Sequence, residues 1–79
     1  MRREAIFQFI VRTIRMLADV ETIQESDELI GELGISSMDI LTLMSYLEEE
    51  FDIRITEKMI RKVATVGDLV DLVCSILEK

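Results

Sequence analysis

The chain has 79 residues, a net charge of −7, 49% hydrophobic and 5% aromatic residues, one cysteine, three glycines and neither proline nor histidine. A chain this short buries roughly 60% of its unfolded surface, so one small core of Leu, Ile, Val and Met is expected, in a single domain spanning residues 1–79. The missing histidine and the solitary Cys74 exclude a histidine-based nucleophilic triad, a clustered His/Cys metal centre and an internal disulfide, and the missing proline favours uninterrupted helices.

The first periodic stretch runs from about Arg3 to Ala18. Ile6, Phe7, Ile10, Ile14 and Leu17 recur at helical spacing and predict one buried face. An arginine pair precedes the apolar run, but Glu4, Gln8, Arg12 and Arg15 interrupt it and no small-residue cleavage site follows. That is too short and too polar for a membrane span or a secretory signal, so membrane insertion is not expected and a cytoplasmic location is. The next stretch, DVETIQESDELIGELGIS, is too polar for a core helix. Its Val20, Ile23, Leu29, Ile30 and Leu33 predict a long loop pinned to the core by apolar side chains, and a loop of that length in so small a domain points to function.

A second helix is predicted from the serine pair to near Phe51. Ser36 suits the N-cap, and Asp39 three residues later completes a capping-box pattern. Ile40, Leu43, Met44, Leu47 and Phe51 make its buried stripe. Ser37, Leu41, Ser45 and Glu48 fall on another face, with Leu41 exposed beside Ser37 and Met38 on the same rim. DIRI reads as a short extended connection. TEKMIRKVA reads as a brief helix from Thr56, with Met59, Ile60 and Val63 turned inward. Thr65 caps a last helix whose Val66, Leu69, Val70, Val73, Ile76 and Leu77 form a strong stripe, weakened modestly by Gly67. The expected class is all-α: a small four-helix bundle with a short third helix and a long loop between helices 1 and 2.

The negative charge is concentrated. Residues 19–53 hold eleven acids and no Lys or Arg, whereas the segments on either side are weakly positive. Such a band repels nucleic acid and anionic lipid and favours encounter with basic protein surfaces. The stretch LGISSMDILTL lies inside it. Serine catalysis needs a base to take the hydroxyl proton and a group to orient that base. With no histidine, no glycine-rich phosphate loop and no ligand cluster, the chain is expected to be no enzyme, with no catalytic residue and no metal. The serines therefore either cap a helix or are modified by another protein.

The stretch DELIGELGISSMDILTLMSYLEEEFDIRI and the later KVATVGDLV resemble the acyl carrier protein family, without a gap from about Asp27 to Val70. Leu33, Gly34, Asp39, Leu47, Glu48, Phe51 and Val66 all stand in the family's register. The resemblance implies that Ser37 is joined through a phosphodiester to 4'-phosphopantetheine from coenzyme A, whose thiol carries an acyl group as a thioester. It implies as partners a phosphopantetheinyl transferase and acyl-loading and acyl-transferring enzymes with basic docking surfaces. It assigns partner recognition to Met38, Asp39, Leu41, Glu48 and Glu49. The first turn of a helix, with unpaired N–H groups and the positive end of the macrodipole, is a favourable place for such an anion.

Three departures from the family stand out. Ser36 occupies the place of the family's Asp, the third helix carries Lys58, Arg61 and Lys62 where fatty-acid carriers are usually acidic, and Thr42 and Ser45 replace an acid and a methionine. They imply a specialised carrier with dedicated enzymes, in fatty-acid, polyketide or related biosynthesis. The Ser-Met pair also resembles D-alanyl and other aminoacyl carriers, so an aminoacyl or peptidyl carrier is the second reading and an unmodified acidic helical adaptor the third. A chain that starts at Met1 and ends eleven residues past Asp68 is expected of a free-standing, monomeric carrier rather than a synthase module.

Overall fold

The computed structural model describes residues 2–78. Four helices follow in chain order: α1 (Arg2–Leu17), α2 (Ser37–Phe51), α3 (Glu57–Ile60) and α4 (Val66–Leu77). The expected all-α bundle, with its short third helix and long first loop, is the observed architecture. Ile6, Ile10 and Ile14 of α1 are fully buried against Val66, Leu69, Val70 and Val73 of α4 and Leu43 and Leu47 of α2. Residues at the ends of the predicted stripes, among them Phe7, Leu17, Ile40 and Ile76, lie half-buried at the core's edge. Phe9 of α1 meets Phe51 of α2 edge-on, with ring centroids 5.5 Å apart, and so closes the bundle near the end of α2. Buried Thr13 satisfies its hydroxyl on the carbonyl of Phe9 at 2.9 Å.

The predicted caps Ser36 and Thr65 form, and Thr56, read as the start of the third helix, is its cap. Ser36, Thr56 and Thr65 each sit in extended backbone and accept the N–H three residues on, from Asp39, Met59 and Asp68 respectively. Ser36 with Asp39 and Thr65 with Asp68 complete reciprocal capping boxes.

The loop between α1 and α2 buries Ile23, Leu29, Leu33 and Ile35. It is also paired through its backbone to the start of α4. Leu29 N–H donates to Ala64 O (2.9 Å), Val66 N–H to Asp27 O (3.0 Å) and Gly67 N–H to Glu25 O (2.8 Å), around an antiparallel bridge between Glu28 and Thr65. The loop carbonyls thus satisfy the first two N–H groups of α4, which no helix can satisfy internally. The structure corrects the expectation for Ile30, which is 58% exposed rather than a core anchor. It lies in the turn after the bridge, closed by the N–H groups of Glu32 and Leu33 donating to Glu28 O at 3.1 and 2.9 Å, and buried Leu29 and Leu33 take the inward side of that turn.

Candidate functional site

The serine pair is positioned by the loop that leads into α2. Gly34 adopts φ 71°, a left-handed turn that glycine takes without strain. Ile35 then plugs into the core at 1% exposure, and its N–H donates to Leu29 O at 3.1 Å. The chain of contacts therefore runs from the α3–α4 connection through Leu29 and Ile35 to Ser36. Sequence reasoning passed over Ile35. The available signal was an apolar residue just before the N-cap, with Ile40 at the matching fourth helical position, the pattern of a hydrophobic staple.

Ser36 is the N-cap: its Oγ accepts Asp39 N–H at 3.1 Å, and Asp39 Oδ2 accepts Ser36 N–H at 3.1 Å. Both groups are thereby committed to the helix start. Ser37, the first helical residue, is exposed. No acceptor among the described residues takes the N–H groups of Ser37 and Met38. The contrast with α4 is physical: the loop closes the first two N–H groups of α4 and leaves those of Ser37 and Met38 in α2 open to solvent, with Asp39 the acid in that first turn.

Met38 (70% exposed) and Leu41 (48%) flank Ser37 as the helical spacing predicted. Beyond them, the Thr42 and Ser45 hydroxyls turn back to the carbonyls of Met38 and Leu41, both at 3.2 Å. Glu48 lies on the Ser37 side of α2 but about 16 Å further along the axis. It is half-buried, and its carboxylate accepts Ile55 N–H at 2.8 Å, so it fixes the connection into α3. Glu49 is exposed. Of the predicted recognition residues, Met38, Asp39 and Leu41 gather around Ser37, whereas Glu48 and Glu49 stand at the far end of α2.

The acidic band does structural work as well. Glu25 is bound by Arg3, Asp27 accepts Gln24 N–H, Glu32 accepts Glu28 N–H, and Asp39 and Glu48 cap backbone groups as described. Asp19, Glu21, Glu28, Glu49, Glu50 and Asp52 are exposed as well, so the surface remains strongly negative. Beside the first turns of α2 opens a cleft of about 300 Å³ lined chiefly by Leu29, Ile30, Ile40 and Val63. Cys74 is half-buried on α4. Among the described residues there is no group of side chains able to hold a metal, and no helix is long and apolar enough to cross a membrane.

Comparison with known proteins agrees with this geometry. The family signature described as a phosphopantetheine attachment site matches residues 6–73. An acyl carrier protein of Wolinella succinogenes is 35% identical over 84% of this chain and 90% of its own length. One of Clostridium acetobutylicum is 40% identical over 70% of this chain and 71% of its own. The crystal structure of the acyl carrier protein of Thermotoga maritima superimposes with a TM-score of 0.77 at 30% identity, covering 99% of this chain and 93% of that one. An exposed hydroxyl beside two outward-facing N–H groups fits a phosphate ester well. The prosthetic group is thus covalently attached 4'-phosphopantetheine, the protein is a carrier rather than a catalyst, and the chain belongs to the acyl carrier protein family.

Proposed function

We propose that Ser37 bears the 4'-phosphopantetheine and that the protein, as one carrier domain, presents acyl intermediates as thioesters to the enzymes of a specialised fatty-acid, polyketide or related cytoplasmic pathway. The observation that carries this reading is the exposed Ser37 hydroxyl at the start of α2, where no acceptor among the described residues takes the first two helical N–H groups. The group supplies a flexible arm and a reactive thiol, which half-buried Cys74 is badly placed to provide. Everything else falls to the chain's own residues. Ser36 and Asp39 hold the first turn of α2 in place, the N–H groups of Ser37 and Met38 favour a phosphodiester anion, and Ile35 fixes the whole turn on the core.

Met38 and Leu41 offer apolar contacts around Ser37, and methionine adapts to several partners. Glu49 and the surrounding acids attract the basic surfaces of a phosphopantetheinyl transferase and of acyl-loading and acyl-transferring enzymes. In this reading Asp39 and Glu48 act in recognition through their charge while holding their backbone partners. The cleft bounded by Ile30, Ile40 and Val63 starts one turn from Ser37 and suits an apolar cargo.

The test is intact mass before and after incubation with coenzyme A, magnesium and a broad-specificity phosphopantetheinyl transferase. The wild type and Ser36→Ala are expected to gain one phosphopantetheine and Ser37→Ala none. No gain in the wild type with several transferases would leave a carrier fold without carrier chemistry and favour an unmodified acidic adaptor.

A further inference from the structure

Away from Ser37 the molecule has further concave surfaces, of which one stands out by its charge. A cleft of about 490 Å³ lies between α3 and α4, with Met59 and Val63 on one side and Leu72 and Ile76 on the other. Lys58 and Lys62 line its α3 side. The α4 side runs from Asp68 to Ile76, about 12 Å or two helical turns. It is an open trough rather than an enclosed cavity.

Charge decides what such a trough accepts. Lys58 and Lys62 are exposed and make no ion pair among the described residues, whereas neighbouring Arg61 pairs with Glu57 at 3.6 Å. The two carboxylates in the lining are already engaged. Asp68 Oδ2 accepts the N–H groups of Ala64 and Thr65 at 3.0 and 3.1 Å, and Asp71 is bound by Arg3 from α1. The result is a partly apolar trough with a positive rim at Lys58 and Lys62 on its α3 side, facing Asp68 and the Arg3-paired Asp71 on its α4 side, on a protein of net charge −7.

We infer that this trough is a docking site for an acidic amphipathic helix of a partner protein. The guest's apolar face lies on Met59, Val63, Leu72 and Ile76, and its carboxylates face Lys58 and Lys62. Open on one side, the trough would leave a small anion largely in water, whereas small-molecule sites enclose most of their ligand. Two turns of helix match its length. A partner that offers a basic patch to α2 and an acidic helix to this trough would reject carriers whose third helix is negative, by like-charge repulsion. The docking itself does not depend on the carrier reading.

Isotope-labelled full-length protein titrated with a designed helix of about four turns, leucine on one face and glutamate elsewhere, tests this. Saturable amide shifts at residues 58–63 and 68–76 are expected. Binding should weaken roughly tenfold in the Lys58→Glu/Lys62→Glu variant, and a twin peptide with lysine in place of glutamate should not bind. No saturable shift there, equal binding of the lysine twin, or unaltered binding by the variant overturns the inference. Shifts with sodium decanoate but not the helix would assign the trough to a small anion, and concentration-dependent shifts without peptide would assign it to a second copy; each overturns it. Both lysines are exposed, so the variant should keep its helical circular dichroism. It should also still gain phosphopantetheine at Ser37, which separates failure here from failure of the carrier reading.

Discussion

Gly67 N–H donates to the carbonyl oxygen of Glu25 at 2.8 Å, and a Cβ placed on Gly67 would lie 3.1 Å from that same oxygen. The glycine read from sequence as a weak point in α4 is thus where the loop's backbone comes closest to the helix. In an open helix, Gly→Ala gains about 1 kcal/mol. Here the methyl group pushes against a carbonyl held by a hydrogen bond, on a residue also anchored by Arg3. Gly67→Ala is therefore expected to lower stability by about 0.5–1 kcal/mol, read as a lower urea midpoint at unchanged m-value. A raised midpoint would mean that the loop gives way freely.

Adjacent serines should separate cleanly. Ser36→Ala removes the N-cap oxygen and is expected to cost about 1 kcal/mol while leaving phosphopantetheine loading intact. Ser37→Ala, at an exposed first helical position, should shift stability by less than about 0.5 kcal/mol and abolish loading. Chemical denaturation and intact mass on the same two variants check both.

Two neighbouring glutamates should also divide. Glu48 holds Ile55 N–H, so Glu48→Ala is expected to cost about 1 kcal/mol and to loosen residues 53–56 in hydrogen exchange. Glu49→Ala should leave stability within about 0.5 kcal/mol of wild type and slow association with a basic partner enzyme, most visibly at low salt. Equal stability losses in both would remove the structural assignment of Glu48.

Asp52 ends α2 at φ 54° and ψ 52°, a left-handed conformation that costs a residue with a Cβ, and it places a negative charge at the negative end of the helix. Asp52→Gly relieves both and is expected to raise stability by about 0.5–1 kcal/mol. Thermal unfolding would detect the gain as a few degrees, and a loss would show that the aspartate makes a compensating contact.

Acid stability should report on the capping box of α4. The N–H groups of Ala64 and Thr65 hold the Asp68 carboxyl below the usual carboxylate range. A depressed folded-state pKa contributes stability that is fully present above the unfolded value and is lost as pH falls through the folded one. That contribution should therefore be complete at neutral pH and disappear below about pH 4. Asp68→Asn should be less stable than wild type at pH 7, and the two should converge in urea midpoint as pH falls below the usual carboxylate range and the wild-type carboxyl protonates. A constant gap across that range would mean that the charge contributes nothing.

Much of the fold was legible because its determinants are local. Helix faces follow from apolar spacing, and Ser36 and Thr65 were recognisable as caps because a cap acts within three residues of itself. The exposure of Met38 and Leu41 beside Ser37 was readable for the same reason: it depends only on the angle around α2. The all-α class and the membership of the acyl carrier family were both carried by residues in register along one continuous stretch.

Tertiary structure decided what depends on residues distant in sequence. Only the pairing of Glu25–Leu29 with Ala64–Gly67 explains why Gly67 is suited to its place and how Ile35 is held beneath the serines. No pattern within the loop could reveal it, because backbone hydrogen bonds carry no side-chain signature. The sequence likewise presented the acidic band as a uniform charge, whereas the fold divides it into carboxylates that hold backbone groups and carboxylates that face water. Charge is a property of the residue and can be counted from the chain; the partner it finds is set by which atoms folding brings within hydrogen-bond reach.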